Sequence, residues 1–269
     1  MTKFTRRHWL VGHALALLLA ACATGPVVAP AEVRTALAPT GSLRIGVYPG
    51  SPTSLVKAAP VDEMRGLTVD IGRELARRLG VLVEFVQFQR VAEVVEAVKI
   101  GRVDFTITNA SPARAKDVDF TAPLVGLELG YLVMPGSPVV SLDAVDRPGV
   151  RIGVTQGSTS QGTLAALFKQ ASIVTAPSMQ AASEMMRSRQ VDAFATNKGI
   201  LFELSDGLPG SRVLDGRWGL ESLAIAVPQG RGVARPWLAQ FVREVSAQGL
   251  VQRAAERAGL RGTVPPESP

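Results

Sequence analysis

The sequence predicts an α/β protein made of two similarly built lobes. Three observations lead there. Strand-like and helix-like patterns alternate along the chain, and the alternation restarts near Val150. The stretch RIGVYPGS at 44–51 returns as RIGVTQGS at 151–158, and VDFTITN at 103–109 returns as VDAFATN at 191–197. Both echoes keep their order, so each pair marks an equivalent place in two halves. A chain of 269 residues is long enough for one large domain or two small ones.

Residues 1–21 are read apart from the fold. MTKFTRRHWLVGHALALLLAAC has a basic start, an apolar run and small residues before a cysteine, the pattern of a cleaved export signal. The run from Trp9 to Ala21 is short for the roughly 20 apolar residues of a bilayer span. Leu19-Ala20-Ala21-Cys22 resembles a bacterial lipobox, which implies acylation of Cys22 and a lipid anchor on the cell envelope membrane. Thr5-Arg6-Arg7-His8-Trp9-Leu10 resembles, more loosely, a twin-arginine export motif. Residues 22–41 are rich in Ala, Pro, Thr and Gly without a sustained period, and are expected to form a flexible tether.

Removing the signal changes what chemistry is available. Lys3, Arg6 and Arg7 leave with it, which halves the formal charge of +6. No basic run with interleaved aromatics follows, so nucleic acid is not an expected partner. The two histidines, His8 and His13, also lie in the signal, and Cys22 is the single cysteine. Serine and cysteine triads, zinc sites built on His or Cys, and internal disulfides are thereby excluded. No metal, cofactor or catalytic residue is expected.

The body begins at Ser42. Leu43 to Val47 reads as a strand, and Val69 to Leu79 has helical apolar spacing closed by Gly80. Val81 to Val86 is a strand, Val91 to Val98 a helix ended by Gly101, and Val103 to Ile107 a strand. The second half repeats this with a strand at 151–154, helices at 159–168 and 178–187, and a strand at 191–195. Leu223 to Val227 is a further strand. Helices over roughly 234–247 and 249–258 follow, and the tail GTVPPESP reads as frayed. Such alternation implies largely parallel sheets. Loops leaving the carboxyl ends of parallel strands form the binding crevice of such sheets, and here they are 48–51, 108–114, 156–159 and 196–198. Asp104 and Asp192, at strand entries, and Asp70, near a helix start, are read as structural carboxylates.

The runs RGLTVDIGRELARRLGVLVEFV, VEAVKIGRVDFTITNASPARAKDVDFTAPL, GVRIGVTQGSTSQGT and SRQVDAFATN resemble the bacterial extracellular solute-binding proteins of family 3, the polar amino-acid receptors of ABC importers. The likeness covers residues 42 to about 260. It implies a type II periplasmic-binding-protein-like fold, with residues 42–133 and 223–269 in one lobe and 138–220 in the other. Met134–Pro138 and Trp218–Ser222 would be the hinges. It also implies a monomer in the periplasm that captures a small carboxylate-bearing solute by hinge closure and presents it to an ABC permease.

Within that resemblance, Ser111-Pro112-Ala113-Arg114 occupies the place of the family's Thr-Pro-Glu-Arg. Arg114 would hold the ligand carboxylate through its planar fork of donors. Ser111, Asn109 and the Gly157-Ser158-Thr159 loop would support it, and Tyr48 would supply an aromatic wall. Asn197 is the departure, because family members usually carry an Asp there that meets the α-ammonium. A neutral amide holds an ammonium less well, unless Glu221 or Glu128 supplies the charge. With Lys198 near Arg114, an anion lacking the ammonium is a competing ligand class. Two further readings stay open: a cyclohexadienyl dehydratase-like enzyme, with Glu128 or Glu221 as its acid, and a ligand-sensing partner of a membrane signalling protein.

Overall fold

The computed structural model describes residues 29–57 and 60–266. The expected export signal, Cys22 and the start of the expected tether lie outside the described residues. The elements run, in chain order, α1 (Ala31–Leu37), β1 (Ser42–Val47), α2 (Leu67–Leu79), β2 (Leu82–Gln87), α3 (Val91–Lys99), β3 (Thr106–Asn109) and β4 (Val118–Val133). They continue with β5 (Arg151–Thr155), α4 (Thr159–Leu167), β6 (Ser172–Ala176), α5 (Met179–Arg187), β7 (Ala193–Asn197) and α6 (Lys198–Asp206). Last come β8 (Arg212–Val213), β9 (Gly219–Pro228), α7 (Arg235–Ala247), α8 (Leu250–Arg257) and β10 (Thr263–Val264).

Two α/β lobes result, each with its own apolar core. One core draws on residues between Ala29 and Leu79, on Phe105 to Leu127, and on Leu223 to Leu260. The other lobe is filled by clusters drawn from Tyr131 to Leu214. Within the lobes β1 pairs β2, and β5 pairs both β6 and β7, all parallel as expected. The sheets are nevertheless mixed. β9 runs antiparallel to β3 and to β4, and β4 runs antiparallel to β7. Long antiparallel strands thus tie the lobes together, a feature the strand–helix alternation does not encode.

Three sequence expectations change. Ala31–Leu37 is a helix rather than tether, because Val33 and Leu37 point into the first core and are buried there. The chain passes between lobes inside β4, since Leu127 belongs to the first core while Tyr131, Leu132 and Val133 belong to the second. Met134–Pro138 therefore lies beyond the crossing, and residues 131–133 pack with the second lobe rather than the first. In the tail, Thr263 and Val264 are not frayed but pair with Leu127 and Gly126 of β4.

The echoed sequences have a structural explanation. Asp104 accepts from the Arg44 backbone N–H at 3.1 Å and from its guanidinium at 2.7 and 2.8 Å. Asp192 repeats this on Arg151, with the backbone N–H at 2.8 Å and the guanidinium at 3.1 and 2.9 Å. Each Arg-Ile-Gly-Val strand is thus clamped at its entry to the Val-Asp of the neighbouring strand. The fully buried Asp104 also accepts from Arg231 at 2.7 Å. Asp70 pairs with Arg257 at 3.1 Å, on the outside of the lobe.

Asp104→Ala would leave two arginines facing an uncompensated hole, and breaking a buried pair from one side typically costs about 3–5 kcal/mol. Urea denaturation is expected to show a loss of about that size. A second prediction concerns Glu74, whose carboxyl is held at about 2 chiefly by the hydrogen bond from Arg77. A depressed carboxylate stabilises the fold above its unfolded value and loses that contribution as pH falls through the folded one. Denaturation midpoints measured from pH 5 down to 2 are expected to fall less steeply for Glu74→Gln.

Candidate ligand-binding cavity

The carboxyl ends of β1, β3, β5 and β7 meet between the lobes, as the loop positions predict, and enclose a cavity. Tyr48, Thr53, Thr108, Asn109 and Arg114 line it from one lobe, Thr155, Ser158, Thr159, Met179, Thr196, Asn197 and Ile200 from the other, and Glu221 and Leu223 from β9. The lobes touch closely around it. Gly157 has φ +72° and sits so near α3 that a Cβ there would come within 2.5 Å of the Ala92 Cβ. Only glycine satisfies both the left-handed backbone and that approach.

Arg114 opens a short turn after β3, where Ser111 Oγ accepts from its backbone N–H at 3.4 Å. Its guanidinium reaches inward and donates to Thr108 Oγ1 at 2.6 Å. Burial lowers the Arg114 pKa from its ordinary value, while the charge of Glu221 across the cavity acts to raise it. Among the described residues Arg114 makes no ion pair, and the carboxylates nearest to it in sequence, Asp117 and Asp119, are engaged elsewhere, with Lys99 and Arg235.

Glu221 is the opposite charge, and it is buried, with 7% of its surface exposed. Thr159 Oγ1 donates to Glu221 Oε1 at 2.8 Å, and Asn197 Nδ2 donates to Oε2 at 3.1 Å. Asn197 does a second job, since its Oδ1 accepts from Ile200 N at 3.1 Å and caps α6. The side chain at the family's usual Asp position therefore orients a carboxylate supplied by β9. Asn109 donates to Thr159 Oγ1 at 3.3 Å, and its Oδ1 accepts from Ser222 N at 3.1 Å, which links first lobe, second lobe and β9.

Of the residues singled out from sequence, Tyr48, Asn109, Arg114, Ser158, Thr159 and Asn197 share this cavity. Ser158 faces it as the N-cap of α4, accepting from Gln161 N at 3.2 Å. Burial pushes the Tyr48 hydroxyl up from its ordinary pKa. Ser111 lies outside, in an adjacent pocket with Pro112, Ala113 and Trp218. Neither Lys198 nor Glu128 lines the cavity. Lys198 Nζ is 2.6 Å from Glu128 Oε2, an ion pair that Arg217 joins and that holds the Glu128 carboxyl below the usual range. Lys198 thus adds no positive charge beside Arg114. Thr108 and Thr196 fall in the crevice loops read from the sequence, whereas Thr155, Met179 and Ile200 were missed, since their letters look like ordinary strand ends and helix starts.

A cavity between two α/β lobes joined by antiparallel crossing strands defines a type II binding-protein fold. The chain belongs to the bacterial extracellular solute-binding proteins, family 3, whose model matches residues 43–259. The glutamine-binding protein GlnH of an ABC transporter of Bacillus subtilis (strain 168) is 22% identical over 191 residues, 70% of each chain. The L-cysteine solute receptor of Neisseria gonorrhoeae superposes with a TM-score of 0.74 at 23% identity, covering 84% of this chain and 92% of that one. The ancestral amino-acid-binding protein AncCDT-1, a precursor of cyclohexadienyl dehydratase, superposes with a TM-score of 0.70 at 24% identity, over 80% and 94%. Among the described residues no helix is long and apolar enough to cross a membrane.

Asn197→Asp would put a second carboxylate beside Glu221, and two buried like charges force one of them to keep a proton. The variant is expected to lose stability as pH rises from 5 to 7.5, by about 2 kcal/mol more than wild type over that interval. Thermal denaturation at the two pH values measures it.

Proposed function

We propose that this protein is the extracytoplasmic receptor of an ABC importer and that its solute is an α-amino acid zwitterion, taken up by closure of the two lobes. One observation carries the reading: Arg114 and Glu221 face the same cavity with opposite charges and make no ion pair with each other. An amino acid offers the complementary set, a carboxylate for the guanidinium fork and an ammonium for the Glu221 carboxylate. The anion without an ammonium, favoured by Asn197 alone, would leave Glu221 buried beside a second negative charge. The glutamine and cysteine receptors among the similar proteins support an amino acid as the solute class.

The proposal extends to the chain's surroundings. Cleavage before Cys22 and acylation there would tether a monomer at the envelope membrane, next to the permease that receives the closed form. Lobe closure follows from population shift, because a solute that contacts both lobes stabilises only the state in which both are within reach.

A second reading rests on the same Glu221. A buried carboxylate facing a cavity is what a dehydratase needs as proton donor, and AncCDT-1 is described as a dehydratase precursor. Incubation with prephenate or arogenate distinguishes the two, with no product above background expected for a receptor.

Titration calorimetry is expected to show that Arg114→Ala costs about 2–5 kcal/mol of amino-acid binding. Glu221→Gln is expected to cost about 1.5–3 kcal/mol, the scale of a charged hydrogen bond, while tightening the grip on the corresponding acid without its amino group. Unchanged affinity in both variants would remove the zwitterion reading.

A further inference from the structure

The lobes are joined by more than the crossing strands. In the first lobe α8 is closed by Gly259 at φ +66°, with Gly259 N donating to Glu256 O at 3.0 Å and Leu260 N to Ala255 O at 2.9 Å. These two bonds and the left-handed glycine form a Schellman stop, which turns the chain out of the helix in a fixed direction. Leu260 then anchors in the first-lobe core, and Thr263 and Val264 pair with Leu127 and Gly126 of β4. Between these anchors Arg261 and Gly262 meet α6, whose apolar side belongs to the second-lobe core.

The contacts with α6 run along one face of that helix. Arg261 donates through both terminal guanidinium nitrogens to the two carboxylate oxygens of Asp206, one of them at 3.2 Å, and its guanidinium carbon lies 4.8 Å from the centre of the Phe202 ring. Gly262 has φ +75°, and a Cβ there would come within 2.6 Å of the Lys198 Cβ. Lys198, Phe202 and Asp206 are spaced four apart, so all three lie on the side turned to this segment. The Glu128 backbone N–H donates to Gly262 O at 3.1 Å, and its side chain pairs with Lys198, which closes a ring between β4, the C-terminal segment and α6. Asp206 is also the last residue of α6, where a negative charge opposes the helix dipole, and Arg261 supplies the cation which that end lacks.

We propose that residues 260–264 form a strap that holds the two lobes in their apposed arrangement, the one in which Asn109 of the first lobe reaches Thr159 of the second. The inference rests on the lobe movement proposed above and not on which solute is bound. Rotating the lobes about β4 and β9 slides α6 past Arg261 and Gly262, and the packing of Gly262 on Lys198 leaves no slack for that movement. None of the strap residues lines the cavity. The strap bears on it through α6, which begins directly after Asn197, the residue that caps this helix and donates to Glu221. A single exposed ion pair contributes little, but here the guanidinium fork, the ring and the backbone packing all act on one helix face. Charge matters on that face: burial raises the Glu203 pKa, Asp206 adds to the rise and Arg261 counters it.

The test is small-angle X-ray scattering on protein stripped of endogenous solute by unfolding and refolding. Arg261→Asp sets a third carboxylate beside Asp206 and Glu203, and the ratio of apposed to separated lobes is expected to fall by about tenfold, the combined scale of a reversed ion pair and a lost cation–π contact. The readout is a larger radius of gyration. Adding Asp206→Arg restores the pair in the opposite sense and is expected to return the radius to the wild-type value, a recovery that a merely loosened fold would not show. Circular dichroism checks that each variant folds. Should Arg261→Asp fail to fold, Asp206→Asn removes the pair from the second-lobe side and is expected to enlarge the radius in the same direction. A radius equal to or smaller than wild type in the folded variant overturns the strap and leaves the receptor reading standing. An expansion that the double variant does not reverse overturns the Arg261–Asp206 pair as its grip.

Discussion

Two opposite charges are enclosed in one cavity and kept from pairing. Removing an ion from water costs several kcal/mol even in a relaxed interior, and a direct contact between Arg114 and Glu221 would recover much of that. Each ion is instead held by neutral hydrogen bonds. Thr108 holds the guanidinium on the first lobe, and Thr159 with Asn197 holds the carboxylate at β9. Neutral hydrogen bonds fix each ion in orientation without cancelling its charge. The residual field of the cavity is therefore that of a dipole, and a zwitterion laid along it gains at both ends.

The repeated sequences do a different job from the one their position first implies. In each lobe the Arg-Ile-Gly-Val strand and the following Val-Asp are joined by the same kind of clamp, Arg44 to Asp104 and Arg151 to Asp192. This sits at the entry ends of the strands, away from the cavity, and sets the strands' register. The site lies at the opposite ends, where both copies finish on Thr-Asn and all four of these residues line the cavity. Asn109 bridges to Thr159 and to the Ser222 backbone, whereas Asn197 caps α6 and steers Glu221. The repeated Val-Asp serves the scaffold in both copies, whereas the repeated Asn meets different partners in each lobe.

That division explains what the sequence discloses. Elements with strong periodicity, such as α2 closed by Gly80 in the left-handed region, lie within two residues of where the pattern places them. Arg114 and the Ser158-Thr159 turn are legible because a loop motif follows a strand in each case. Glu221 and Glu128 are equal alternatives in the sequence, since nothing local separates them. Only the pairing of Leu127 with Glu221 across β4 and β9, together with Lys198 and Arg217 drawing Glu128 outward, decides which one faces the cavity. Helix α1 stayed hidden for a related reason. Its seven residues are too few to show a period, and their helicity depends on Val33 and Leu37 finding a core assembled from distant segments.

The placement of Glu221 on a crossing strand also joins recognition to movement. β9 contributes to both lobes' connection, and Glu221 accepts from Thr159 and Asn197 of the second lobe, while Asn109 of the first lobe holds the adjacent Ser222 N–H and donates to the same Thr159 hydroxyl. Separating the lobes would strip the carboxylate of these donors and return it to water, which hydrates it well. Bringing them together desolvates it, at a cost that neutral donors only partly offset. On the proposed zwitterion reading, a solute ammonium would offset the remainder, and a solute carboxylate would do the same for Arg114. Closure would then be disfavoured for an empty cleft and for a ligand carrying only one of the two charges, because either leaves a buried ion without its complement. The same pair of charges proposed to select the solute would therefore also bias the two-lobe equilibrium, with no separate switch required.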